Sequence, residues 1–330
     1  MGLFKKKMEA IKRVKMAETH EIICLHCFRN FDHDKVFFRL GEGEIINPSE
    51  LKERAKSFHQ GILSAVTIAG SDPTTQRICP YCTNTIAGGA GFAPSTYIAL
   101  VGAGDVVDFF TRMMRVLKGQ TSRQFPLFCT NPTPDGIQHP ASMVFTFSFA
   151  DDTLPEIHIA YYDVTRGNEE KYAAFIRNAS GVMLLIEPAQ FAALEHEAPW
   201  EEPTDTLARR VEAHVYKQAS GVSNIPTAVV LTNSFALRQS PAAGEYLPAD
   251  STLFTDFSHT QVFDLGVHDA VDAELDAFFQ EIDPNFANAL KRRFVELGFF
   301  AVQAGEETRR VDEPFLWLLY KLGYIEGVSA

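Results

Sequence analysis

The sequence is poor in tryptophan, with 2 in 330 residues, and in cysteine, with 5. So few cysteines in so long a chain exclude a disulfide-built scaffold. No stretch approaches the roughly 18 consecutive apolar residues that mark a membrane-crossing helix. The amino-terminal lysines are followed by no continuous apolar core, so no secretory signal is expected and a reducing, cytoplasmic compartment is. Basic residues are in the minority. The 30 Lys and Arg against 42 Asp and Glu leave a formal charge of −12, which argues against broad electrostatic binding of nucleic acid. What is abundant is phenylalanine, 27 residues against 9 tyrosines. With 46% hydrophobic and 22% charged residues, this is a folded chain with room for two domains.

The charge is uneven. Residues 1–19 carry Lys5, Lys6, Lys7, Lys12, Arg13 and Lys15 against Glu9 and Glu18, a net of +4 that leaves −16 on the rest. Within them Leu3, Phe4, Met8, Ile11 and Val14 recur at helical spacing. A basic amphipathic helix is expected there. It can touch a membrane surface peripherally, dock to an acidic partner or pack on its own protein.

Four of the cysteines form two Cys-x-x-Cys pairs, Cys24 with Cys27 and Cys79 with Cys82. Two thiolates separated by two residues reach one ion from a tight turn, and two such knuckles complete the tetrahedral shell of a structural zinc site. Pro80 suits the second turn. Such a shell leaves no open coordination position, so the metal would fold the segment and not catalyse. The 51 residues between the pairs hold an expected strand at 36–40 and a helical pattern at 48–68. Cys129 has no partner in the sequence and reads as a core or loop thiol. Residues 20–95 are thus expected to form a small zinc-ribbon-like module ending in a Gly/Ala-rich linker at 83–95.

From residue 96 onward, apolar runs alternate with helical patterns. Strands are expected at 96–101, 143–149, 156–163, 182–186, 227–231 and 299–302. Helices are expected after Gly104 to about 118, near 169–177, over 205–218, from the Asp283-Pro284 cap to 297, and over 313–321. This alternation predicts an α/β fold, a mostly parallel sheet with helices on both faces. Residues 238–268 fit no element and read as an insertion with a surface role.

Strand 96–101 runs into Gly102-Ala103-Gly104-Asp105-Val106-Val107-Asp108-Phe109 and then a helix, the context of a phosphate-binding loop. Tyr161-Tyr162-Asp163 closes a later strand. Leu184 to Gln190 follows, then Val229-Val230-Leu231-Thr232-Asn233-Ser234-Phe235, Phe299 to Ala304 and Pro314 to Leu319. In this order the segments resemble the double-GTPase proteins of bacteria, small-GTPase-like P-loop proteins that carry a zinc-binding module ahead of the nucleotide domain. The resemblance implies a P-loop GTPase-like domain over 96–330.

The motifs lack the residues that do the chemistry. A phosphate loop needs glycine for close backbone approach, lysine for the outer phosphates and Ser or Thr for magnesium. Those positions hold Val107, Asp108 and Phe109, after the turn at Gly102. In the switch motif Asp163 is present, but Arg166 stands at the glycine position. In the guanine motif Asn233 replaces the lysine that packs on the base, and Phe235 replaces the base-binding carboxylate. These losses predict a pseudo-GTPase: no catalytic residue, no bound nucleotide, and structural zinc as the one cofactor. The resemblance implies an interaction subunit of a bacterial multiprotein system, such as a defence system, with a protein partner such as an active GTPase or effector. The competing expectation is a divergent nucleotide or magnesium binder whose Asp105, Asp108, Asp163 and Glu187 gather for phosphoryl transfer or hydrolysis. Nucleic acid is disfavoured as a partner by the −16 body.

Overall fold

A computed structural model gives the architecture. It describes residues 21–24, 27, 29–32, 35–40, 44–47, 49–50, 76–84, 95–102, 106–119, 127–129, 142–149, 156–163, 176, 179–188, 191, 223–240, 243–255, 263–304 and 308–328. The expected basic helix at 1–19 lies outside the described residues, as do the helical patterns at 169–175 and 205–218 and nearly all of 48–68.

The first segment is built of short antiparallel strands. β1 (Glu21–Ile23) pairs with β2 (Asn30–Asp32). β3 (Phe37–Leu40) lies between β4 (Glu44–Ile46) and β5 (Gln76–Ile78). Its small core joins Cys24 and Cys79 to Phe31, Val36, Phe38 and Ile46. Among the described residues, the cysteines are part of this core.

The remainder is an α/β domain on a seven-stranded sheet. In chain order come β6 (Ser95–Gly102), α1 (Val106–Gly119), β7 (Leu127–Cys129), β8 (Ser142–Phe149), β9 (Glu156–Asp163), β10 (Gly181–Ile186) and β11 (Thr227–Leu231). Then follow α2 (Leu265–Ile282), α3 (Pro284–Arg293), β12 (Leu297–Ala301), the ribbon β13 (Gln303–Ala304) with β14 (Thr308–Arg309), and α4 (Glu313–Lys321). The sheet order is β12-β11-β10-β6-β9-β8-β7. β12, β11, β10, β6 and β9 are parallel; β8 is antiparallel to β9, and β7, antiparallel to β8, runs with the parallel set. β6 comes first in sequence yet sits between β9 and β10, which makes its carboxyl end the topological switch point where α/β ligands bind. This is the expected α/β fold, a mostly parallel sheet with helices on both faces.

Side chains of the central strands alternate between two apolar layers, as the period of two requires. Tyr97, Ala99, Val101, Val182, Leu184, Ile186, Val229 and Leu231 face one layer. There α2 and α3 lay down Val271, Leu275, Phe278, Phe279, Phe286 and Leu290. Ile98, Leu100, Met183, Leu185, Ala228, Val230 and Phe300 face the other, covered by Phe109, Phe110, Met113 and Leu117 of α1 and by Phe315 to Leu319 of α4. The phenylalanine excess thus fills the two layers between sheet and helices. Each fully buried Phe contributes about 1.5–3 kcal/mol of transfer free energy.

Two sequence expectations need correction. Asp283 caps α3 as expected, accepting from the Phe286 amide at 3.0 Å with Pro284 at the first position. The helix, however, stops at Arg293 and not at 297. Phe294 turns extended to bridge Ser223, and its ring is buried in the core. The described part of 238–268 is not a surface insertion alone, since it contributes to the core. Leu237, Ala243, Leu247, Leu253 and Phe254 from the 3₁₀ turns Ser234–Gln239, Ala243–Glu245 and Thr252–Phe254 belong to the same apolar layer as α2 and α3. α2 itself, capped by Asp264 through the Gly266 and Val267 amides, escaped the sequence reading.

Candidate metal centre and the strand-end region

Each cysteine pair follows directly on a strand: Cys24 on β1 and Cys79 on β5. The strand ends turn in the same way. The Cys24 amide donates to the Arg29 carbonyl at 3.0 Å, and the Cys79 amide to the Asn84 carbonyl at 2.9 Å, five residues on in both. The second turn closes further through the Thr83 amide on the Cys79 carbonyl, with Thr83 at φ 58°. The sulfurs of Cys24, Cys27, Cys79 and Cys82 all lie within 4.8 Å of one another.

Two of the separations are 3.6 Å, Cys24 to Cys82, and 3.8 Å, Cys27 to Cys79. A tetrahedral thiolate shell with metal–sulfur bonds of about 2.3 Å has edges of about 3.8 Å. None of the four is disulfide-bonded. The Tyr81 amide and the Asn84 side-chain amide point at the Cys79 and Cys82 sulfurs, at 3.4 and 3.5 Å. Such donors favour thiolate over thiol. Cys24 and Cys79 are buried, Cys27 and Cys82 half-buried. This donor set fits a four-coordinate metal ion. It is the only group of three or more metal-capable side chains among the described residues.

The second candidate region lies at the carboxyl ends of the parallel strands. Gly102 ends β6 in register with Asp163 at the end of β9, so the expected phosphate-loop and switch positions are neighbours. Gly102 has a packing reason of its own. A Cβ there would meet the Leu185 Cβ at 2.8 Å and the Val106 Cγ2 at 3.1 Å. Asp105 and Arg166 lie outside the described residues. Val107 and Asp108 open α1, and Asp108 is exposed with its carboxylate on the Arg112 guanidinium one turn later at 2.8 Å. Phe109 is 1% exposed, its ring in the layer beneath the sheet. Thus the residue at the expected magnesium-ligand position faces the core.

β11 ends beside β10 and β12. The Thr232 amide donates to the Ile186 carbonyl at 2.8 Å, and the Ser234 amide to the Val302 carbonyl at 3.0 Å. Between them Asn233 adopts the left-handed conformation, φ 52°, which Asn tolerates better than most residues. Its side chain makes no capping hydrogen bond. Phe235 is half-buried, edge-on to Phe254 at 6.1 Å, with the guanidinium carbons of Arg238 and Arg309 at 5.1 and 4.8 Å from its ring centre. Sequence reasoning singled out Phe235 but neither arginine. The spacing of Phe235 and Arg238 on one turn was a signal; Arg309, on the β13–β14 ribbon, had none.

No helix among the described residues is long and apolar enough to cross a membrane. No protein-family model matches the chain, and no curated protein matches it. Among solved structures, a bacterial selenocysteine-specific elongation factor, EF-Sec, is similar at 14% identity with a TM-score of 0.31. The similarity covers 69% of this chain and 28% of that one, so the chain spans less than a third of that structure's length.

Proposed function

We propose that the chain is a pseudo-GTPase: a zinc-bearing, GTPase-like scaffold that has lost triphosphate chemistry and serves as an interaction subunit. Phe109 carries this reading. In the position that would hold magnesium, its side chain is buried among Phe110, Met113 and the sheet, and a phenyl ring ligates no metal. The neighbouring lysine position supports it, because Asp108 places a carboxylate there and spends it on Arg112. Phe235, held against Phe254 and two guanidiniums, offers no acceptor to a guanine base.

In this reading Cys24, Cys27, Cys79 and Cys82 hold one zinc ion, which would tie the two knuckles and supply folding energy. The partner would be a protein, in a cytoplasmic bacterial assembly of the kind that double-GTPase relatives suggest, defence among them. Titration calorimetry of the full chain with GTP, GDP and ATP plus magnesium tests the proposal. No heat of binding is expected, and micromolar affinity for any of the three would overturn it.

A further inference from the structure

Among the described residues, three that are not glycine have a positive φ: Thr83, Asn233 and Arg310. Thr83 belongs to the metal knuckle. The other two flank one surface cluster, since Asn233 precedes Phe235 by two residues and Arg310 follows Arg309 directly. Left-handed backbone at non-glycine residues costs on the order of 1 kcal/mol or more and gathers at ligand clamps. Arg310 is fixed in this conformation by burial, 3% exposed, and by three contacts to Glu313, from Nε at 2.9 Å to each carboxylate oxygen and from Nη2 at 2.6 Å. The locked Arg310 sets where its neighbour Arg309 emerges from β14.

From the other side, the Arg238 guanidinium lies 5.1 Å from the Phe235 ring centre and 4.9 Å from that of Phe254, and it donates to the Phe254 carbonyl at 2.8 Å. Two guanidiniums each about 5 Å from one ring centre lie no more than about 10 Å apart. Like charges are thus brought together on an acidic protein, at the carboxyl ends of β11 and β12, and strained backbone and aromatic rings hold them there. Arg238 is exposed, and the described contacts engage one of its guanidinium donors.

We propose that Arg238, Phe235 and Arg309 form a binding site for the carboxylates of an acidic protein segment. Planar guanidiniums match carboxylates in bidentate geometry, and their contacts with the Phe235 ring hold them preorganised. A short run of Asp or Glu fits better than nucleic acid. A local pair of cations suffices for two or three carboxylates, whereas a long polyanion would extend over a surface of net negative charge. The proposal rests on the pseudo-GTPase reading and names the chemistry of its partner.

Fluorescence anisotropy with a labelled hexaglutamate peptide tests it on the full chain at low salt, with an oligothymidylate of equal length as comparator. Peptide binding that weakens with added salt is expected, falling roughly tenfold in Arg238→Gln and in Arg309→Gln. Arg238→Lys keeps the charge without the fork and should restore affinity only in part. Thermal unfolding of each variant confirms that it is folded. A wild-type chain that ignores the peptide, variants that bind it as tightly, or oligothymidylate bound more tightly in an arginine-dependent way would each overturn the site. Failure here with no GTP binding removes the carboxylate site alone; GTP binding with the peptide site intact removes the parent reading alone.

Discussion

The backbone N–H of Phe299, in the middle of β12, donates to the carboxylate of Asp272 on α2 at 2.6 Å. This bond ties the helix to the edge of the parallel sheet. Burial pushes the Asp272 carboxyl above its usual range, and Asp276 and Asp269 on the same helix add to this, against the Phe299 amide and Lys291. Asp272→Ala leaves the amide without its acceptor and should destabilise by about 1–3 kcal/mol in urea unfolding. Asp272→Asn keeps an acceptor and removes a half-buried charge, so it should be neutral or stabilising at pH 7. Equal losses in the two variants would show that the charge, not the acceptor, is what matters.

His268 has the opposite sign. It is buried against Phe300, ring centres 4.8 Å apart, and burial lowers its pKa to about 4, with Arg310 and Lys321 adding and Asp269 opposing. Between about 4 and 6.5 the unfolded chain takes up a proton that the folded chain refuses. Stability is therefore lost as pH falls through that window, by roughly 3 kcal/mol when the lower end is reached. Asp272 works against this loss near the acid end, because its raised folded value means the native state gains a proton first. Denaturation curves from pH 7 to 4 should show the His268 loss, and His268→Phe should flatten it.

Gly102 separates packing from phosphate chemistry. Its added Cβ would strike Leu185 at 2.8 Å, so Gly102→Ala should destabilise by about 1–3 kcal/mol with no nucleotide present. A stability change within error, measured by thermal unfolding, would rule out the packing role of this glycine.

Metal removal should act on the first segment alone. Elemental analysis should find about one zinc per chain, and a Cys24→Ser/Cys79→Ser variant should lose it. Chelation should expose residues 21–84 to proteolysis while 95–328 stays protected, as expected for a core of six side chains that includes two ligands. Full zinc retention in the double variant would exclude the four-cysteine site.

Legibility in the sequence followed the range of the interactions. β10, β11 and α4 are unbroken apolar runs between turn residues, and spacing of two marks the cysteine pairs, so both could be read locally. α2 could not. Its buried positions at 268, 271, 275, 278, 279 and 282 keep helical spacing, but Asp269, Asp272 and Asp276 make its outer face read as solvated loop. Phe109 and Phe235 were legible as substitutions within motifs. The reason for Gly102 was not, because it depends on Leu185, 83 positions later. Arg309 joins Phe235 only through the β13–β14 ribbon, a contact across 74 residues that no local pattern announces.

The placement of β6 has a consequence for synthesis. The first strand of the domain to leave the ribosome is the one that ends at its centre, and its two neighbours arrive only with residues 156–163 and 181–186. The far edge follows with 297–301, and the helix that seals one face with 313–321. Until residues 156–186 are made, β6 waits without its strand partners, and closure needs contacts spanning much of the chain. Folding of the domain is therefore expected as one unit once residues 297–321 are available, whereas the metal-linked segment, whose last ligand is Cys82, can fold while the rest is still being made.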